Sequence, residues 1–211
     1  MEALWLAVIQ ELEEMSEVWF TSDSHFGHRN IIGYCDRPFD SIGHMNQEII
    51  KRWNSVVKDE DTVYHLGDVA FTKRGEWQWM IQSLKGHKIL ISGNHDNHTN
   101  KSYYDAGFEK MHQEWNLEYW PGMGRPHHIL LKHKPQFDYD QEKYNYHFCG
   151  HVHTRWTRKG DIINVGVDKW DFTPRTFMEL IQAKEDYPVY DPTQSIKDMV
   201  KGYYENETKS S

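Results

Sequence analysis

The chain has 211 residues, 38% of them hydrophobic and 14% aromatic, with a formal net charge of −8. That apolar content excludes a disordered chain, and the length suits one domain with a sizeable core. The acidic balance argues against tight binding to long nucleic acid, which needs a basic footprint. A small anionic ligand stays compatible, because bound divalent cations would reverse the charge locally.

Residues 1–17 read as an N-terminal extension, a short amphipathic helix or leader before the core, with Met15 an alternative start. The acidic flanks and the lack of a basic n-region speak against a signal peptide. Residues 18–22 (VWFTS) form a β-rich run. Residues 45–57 follow a helical pattern, with Ile49, Ile50, Trp53, Val56 and Val57 on one stripe. A second strand is expected at 62–66 (TVYHL), a helix at 76–84 with Gly86 as its stop, and a third strand at 88–92 (KILIS). This alternation indicates an α/β sheet.

The second half changes character. Residues 111–120, 128–132, 146–149 and 161–167 are β-like, with turn signals at Pro121-Gly122 and Lys159-Gly160. They predict a mixed second sheet. A final helix is expected at 176–183, which gives a core domain over 18–183 and a polar tail over 184–211. No run approaches the roughly 18 apolar residues of a membrane helix. Cys35 and Cys149 fit neither a disulfide framework nor a zinc-thiolate motif, so both read as small buried residues in a reducing compartment. A cytoplasmic location with no membrane partner is the default expectation, and the oligomeric state stays open.

Five short clusters carry the chemistry: Asp23-Ser24-His25, Gly67-Asp68, Gly93-Asn94-His95-Asp96, His133 and Gly150-His151-Val152-His153. Each follows an apolar run, and functional groups of open α/β sheets gather outside the carboxyl ends of strands. Asp23 and His25 stand two apart, so an extended backbone would point both side chains one way; His151 and His153 repeat the spacing. A glycine before Asp68 permits close approach of backbone and ligand. Asp23, His25, Asp68, Asn94, His133, His151 and His153 make seven donors, too many for one zinc ion and suited to two ions sharing a carboxylate. Nitrogen and oxygen donors without thiolate fit Mn, Fe, Zn or Ni and do not choose among them; Mn is taken first as the working ion.

In this order the clusters resemble the calcineurin-like metallophosphoesterase superfamily, whose pattern is D-x-H, G-D, G-N-H-[DE], a lone H and G-H-x-H. The resemblance spans roughly residues 18–168, and residues 20–32 (FTSDSHFGHRNII) look like a small bacterial and phage branch of stand-alone phosphoesterases. It implies two mixed β-sheets packed as a sandwich flanked by helices, the αββα architecture. It also implies a binuclear metal-dependent phosphoesterase acting on phosphodiesters or phosphomonoesters, with small or cyclic nucleotides as candidate substrates. Asp23, His25 and His153 would hold one ion, Asn94, His133 and His151 the other, and Asp68 would bridge them. A hydroxide between the ions would attack phosphorus, His95 would protonate the leaving group or stabilise the phosphoryl oxygens, and Asp96 would orient the His95 ring. His28 and Arg37, with Asn94, are candidate phosphate contacts.

The other readings are a nuclease of the same superfamily and a non-catalytic interaction scaffold on the same fold. The short acidic chain shows no basic DNA-binding face, and all seven ligands and His95 remain. His44, His87, His98, His112, His127 and His128 are assigned no role, and His65 and His147 are expected on the other faces of their strands. Trp77, Trp79, Trp156 and Trp170 are expected to pack rather than to stack on a base. The pairs Lys51-Arg52 and Lys73-Arg74 are expected to be solvated.

Overall fold

The short β-rich runs of the sequence pair into two five-stranded sheets among the described residues. A computed structural model describes residues 16–72, 77–122 and 124–184. The expectations for residues 1–15, for Lys73-Arg74, for Glu76 and for the tail from 185 lie outside the described residues.

The first sheet holds β1 (Val18–Thr21), β2 (Thr62–His65), β3 (His87–Ile91) and β4 (Phe108–His112) as parallel neighbours in that order. The two-residue β10 (Arg175–Thr176) pairs antiparallel with β1 at the edge. The second sheet runs β5 (Glu114–Tyr119), β6 (His127–Lys132), β7 (Tyr146–Cys149), β9 (Ile162–Asn164) and β8 (Arg158–Lys159). Its central pairs β6·β7 and β7·β9 are parallel and its outer pairs antiparallel. The expected mixed α/β sandwich is therefore present.

Helices cover the outer face of the first sheet. In α2 (Ile42–Val56), the Ser41 hydroxyl accepts from the His44 N–H and so satisfies one of the first-turn donors. Met45, Ile49 and Trp53, four residues apart, bury one stripe against Val63 and Leu90. The shorter α1 (Ile31–Tyr34), α3 (Gln78–Gln82) and α4 (Asn100–Asp105) lie on the same side of the chain's core cluster, contributing Ile31, Met80, Ile81 and Tyr103. Between the sheets, Phe20, Leu66 and Ile91 meet Ile129, Leu131, Phe148 and Ile163, with Phe177 of α5 (Phe177–Ile181) closing one end. Phe20 and Phe148 pack edge to face, with ring centroids 5.0 Å apart. Leu130, Cys149 and Ile162 on the outer face of the second sheet are covered by Tyr139, Tyr144, Val152 and Trp156, all from segments without helix. No helix among the described residues is long and apolar enough to cross a membrane.

Two boundaries differ from the sequence reading. The run at 111–120 divides at Gln113: β4 ends there in the first sheet, and β5 begins in the second. A continuous stretch of β-formers hides such a crossing, because both sheets demand the same residue types. The run at 161–167 stops at Asn164, whose side-chain oxygen accepts from the Gly166 N–H and turns the chain toward Ser22.

His147 is wholly buried in β7 as a neutral ring. Its Nδ1–H donates to the Leu130 carbonyl at 3.0 Å, and Nε2 accepts from the Gln136 N–H at 3.0 Å. Protonation would destroy the acceptor, and burial pushes its pKa down from 6.5 to about 4. The unfolded chain therefore takes the proton first, so this stability is present above pH 6.5 and is lost as pH falls toward 4. His147→Gln, which still donates and accepts but does not titrate, should flatten the decline by up to about 1.4 kcal/mol per pH unit. Urea unfolding of both proteins between pH 7 and pH 5 measures this. Parallel declines would show that His147 is not the titrating group.

Candidate functional site

The carboxyl ends of β1, β2, β3, β6 and β7 open onto one rim, and the five clusters leave from those ends. Past β1 and β2 the chain segments stay side by side: Asp23 N–H donates to Gly67 O at 3.0 Å, His25 N–H to Asp68 O at 3.0 Å and Phe26 N–H to Val69 O at 2.9 Å. The two sheets are joined here as well. The His151 N–H donates to the Asp23 carboxylate, 3.0 Å from Oδ2, and the Val167 N–H donates to Ser22 O at 3.0 Å.

The backbone is not extended at these side chains. Asp23, His25, Asp68, His151 and His153 all have positive φ, at 57°, 49°, 55°, 70° and 47°. Asp and His enter this left-handed region more readily than other non-glycine residues, yet each costs about 1–3 kcal/mol. The i, i+2 pairs consequently do not act as two extended clamps. Asp23 and His25 converge with His153, whereas His151 joins Asp68 and His133; within each trio the donor atoms lie within 4.8 Å of one another.

Asp68 Oδ2 stands between the trios, 3.7 Å from His25 Nε2 and 3.4 Å from His133 Nε2. Asn94 Oδ1 lies 3.1 Å from His133 Nε2, so all seven expected donors gather in one place. Among the described residues the buried His25 ring has no hydrogen-bond partner on either nitrogen, while Asp23 Oδ1 lies 4.0 Å from its Nε2. The 3.4–4.0 Å separations between these rings and the Asp23 and Asp68 carboxylates are long for hydrogen bonds but suit donors that share an ion at about 2.0–2.2 Å. The residues present thus fit divalent cations.

Second partners aim the rings. His133 Nδ1–H donates to Leu66 O at 2.7 Å, and His153 Nδ1–H to Asp168 Oδ2 at 2.8 Å, so both Nε2 atoms point inward. Burial works to lower the pKa of both rings. For His133, the Asp68 contact and the Asp23 charge outweigh it and push the pKa up to about 9. For His153, the Asp168 bond and its neighbours push it up to about 10. His25, buried and flanked by His153, is pushed down to about 2. Burial also raises the Asp23 carboxyl.

Glycines let the segments that follow β2 and β3 approach closely. A Cβ on Gly67, at φ +88°, would sit 2.6 Å from Gly93 Cα and 2.9 Å from His133 Nδ1. A Cβ on Gly93 would overlap Asp68 Oδ1.

Three expectations need correction, and one residue was missed. Arg37 does not reach out to phosphate. Its side chain is wholly buried, with Nε and Nη2 on the Asp168 carboxylate at 2.7 and 3.1 Å, Nη2 on Asp23 O at 2.8 Å and Nη1 on Ser24 O at 3.0 Å. Asp96 does not hold the His95 ring. Its carboxylate accepts from the N–H groups of Asp68, Val69 and Gly93 at 2.8, 3.0 and 2.7 Å and from the Tyr103 hydroxyl at 3.2 Å. Cys35 is half-buried rather than packed away, with its sulfur near the His153 and Asp168 donors. The missed residue is Asp168, which links Arg37 to His153; its only trace in the sequence is a lone acid after Gly166-Val167.

His95 and His28 stand at the mouth. The His95 N–H donates to Asp68 Oδ1 at 2.9 Å, and its exposed ring lies 5.8 Å from that of His25. The half-buried His28 ring lies 5.3 Å from His25 and 4.4 Å from Phe71, and burial and then His95 lower its pKa. Trp77 and Trp156 are core residues, as expected, whereas Trp79 is half exposed.

A family model described as calcineurin-like phosphoesterase matches residues 16–135. An uncharacterized protein of Methanocaldococcus jannaschii is 44% identical over 84 residues, covering 39% of this chain and 48% of that protein, so the chain spans about half of that relative's length. The Gene 66 protein of Mycobacterium phage D29 is 31% identical over 191 residues, covering 76% of this chain and 92% of the phage protein. Among solved structures, AQ665 from Aquifex aeolicus, a protein of unknown function, is similar with a TM-score of 0.62 at 28% identity, covering 80% of this chain and 99% of that one.

Asp168→Asn should cost about 3 kcal/mol, because it leaves the buried Arg37 guanidinium without its full counter-charge. Urea unfolding measures this, and an unchanged midpoint would show that the ion pair contributes nothing. Gly93→Ala should displace Asp68 and destabilise the protein by about 1–3 kcal/mol. Thermal unfolding beside wild type tests that value, and an alanine variant of wild-type stability would contradict the packing described.

Proposed function

Because the chain belongs to the calcineurin-like phosphoesterase family, we propose that it is a binuclear metal-dependent phosphoesterase acting on phosphodiester or phosphomonoester bonds of small substrates, nucleotides among them. The observation that carries this reading is the Asp68 carboxylate, with one oxygen 3.7 Å from His25 and 3.4 Å from His133. Such an acceptor suits a bridge between two cations. Asp23, His25 and His153 would hold one, and Asn94, His133 and His151 the other. The mixed imidazole and oxygen donors suit manganese, iron, zinc or nickel without choosing among them, and manganese is the ion taken for the test. Divalent ions held there would polarise the phosphoryl oxygens and lower the pKa of water.

The chain's own groups would supply positioning and a proton. In hydrolysis, the oxygen of water forms a bond to phosphorus, the ester P–O bond breaks and the departing oxygen takes a proton. The exposed His95 ring is the group suited to donate it, since its backbone is anchored on Asp68 while its side chain faces the mouth. His28 would contact the phosphoryl oxygens beside it. Asp96 would hold the Asp68 and Gly93 turns in register, and Arg37 with Asp168 would hold His153. The acidic surface supports a small phosphorylated substrate over long nucleic acid, and the two free cysteines support a cytoplasmic location.

With manganese supplied, purified protein should hydrolyse a generic aryl phosphodiester or monoester and lose that activity on chelation. Asp68→Asn and His95→Ala should each lower turnover at least about 100-fold while circular dichroism stays native. Turnover at the wild-type level from both folded variants would refute the mechanism.

A further inference from the structure

Beside the metal-ligand cluster lies a cavity of about 740 Å³, and its walls include Gly27, Asn46, Phe71, Trp79, His95 and Asn97. His95 belongs both to this cavity and to the mouth of the cluster, so an occupant would reach the reacting phosphorus from this side. The walls are aromatic at a place where packing does not require it. Phe71 and Trp79 are 49% and 53% exposed, among the few large apolar side chains left in solvent. Phe71 stands 4.4 Å from the His28 ring and edge-on to His95 at 5.6 Å, so rings run without a break from His25 outward. Polar groups sit among them. Asn46 spends its amide oxygen on the Gly27 N–H at 3.1 Å, which leaves its NH₂ as a donor, and Asn97 adds an exposed amide.

We infer that this cavity is a subsite for a planar nitrogenous base, with Phe71 and Trp79 as its stacking walls, and that it selects nucleoside phosphoesters over alkyl phosphoesters. The inference rests on the phosphoesterase reading and narrows its substrate class. An apolar ring face with a hydrogen-bonding edge is the ligand that such walls recognise: every base has a π-face to stack, and its edge can meet the amides of Asn46 and Asn97. The arrangement accepts one base at a time. Among the described residues its walls include no lysine or arginine of the kind that a single strand would follow, in keeping with a small substrate.

The test compares a nucleoside phosphodiester, thymidine 5′-(methyl phosphate), with dimethyl phosphate on the manganese-loaded protein, and separately measures binding of thymidine 5′-monophosphate and inorganic phosphate by calorimetry. Stacking predicts that the monophosphate binds at least about tenfold tighter than phosphate. Trp79→Ala and Phe71→Leu should each reduce the kcat/KM ratio of nucleoside to dimethyl ester about tenfold and bring the two binding constants together, and Trp79→Phe should restore both. Because both side chains are half exposed, the variants should fold, which a thermal melt checks. A preference and a binding ratio that survive both variants would overturn the subsite. If wild type hydrolyses dimethyl phosphate and shows no preference for the nucleoside ester, the subsite fails and the phosphoesterase reading stands. If wild type hydrolyses neither ester and binds neither ligand, the phosphoesterase reading fails and the subsite falls with it.

Discussion

The structure depends on how the chain leaves its strands. At the ends of β1, β2 and β7 the backbone must turn at once into the left-handed region, at Asp23, His25, Asp68, His151 and His153, or the side chains would run past the rim instead of converging on it. Each turn carries a conformational cost of about 1–3 kcal/mol, and neighbouring structure has to impose it. Paired backbone bonds between the 23–26 and 67–69 segments do so, together with the Asp96 carboxylate on three amides. Close contact between Gly67 and Gly93 then brings Asp68 to the centre.

Around that polar centre the apolar chemistry is ordinary. One cluster fills the space between the sheets, and another seats α2 on the outer face of the first sheet. Both are built from residues with low conformational demands, so the sandwich can hold the strained rim. The rim in turn ties the sheets together, through His151 on Asp23 and Val167 on Ser22. The Arg37–Asp168 pair makes the same connection from beneath, joining the segment after α1 to the turn that follows β9. Burying such a pair is costly unless every donor is used, and here the guanidinium has a partner for each of its nitrogens.

Much of this was legible in the sequence because the signals are local. Each ligand cluster is contained within four residues and follows an apolar run, so residue types and order sufficed to propose the set. Strand and helix periodicity located β1, β2, β3, β6, β7 and α2 to within a few residues. What was not legible depends on distance in the chain. Arg37 reads as a surface cation next to a proline until Asp168, 131 residues away, is brought beside it. Asp96 reads as the partner of its neighbour His95, yet its oxygens are taken by amides 27 and 28 residues earlier and by one close by. Positive φ at the ligands leaves no mark in residue type, since Asp and His serve equally well in extended chain. Trp77 and Trp79, two apart, looked alike; only the packing of α3 shows that one is core and the other borders a cavity.

The left-handed turns also bear on the history of such a chain. A lineage that kept this sandwich but abandoned its chemistry would carry five strained non-glycine residues with no return for the strain. Glycine at any of them would relieve the backbone, at the cost of a looser unfolded state. Drift would therefore erode these positions early, before the apolar core changed. Aspartate and histidine stand at all five positions instead, so the backbone strain coincides with side chains whose donor atoms converge at the rim.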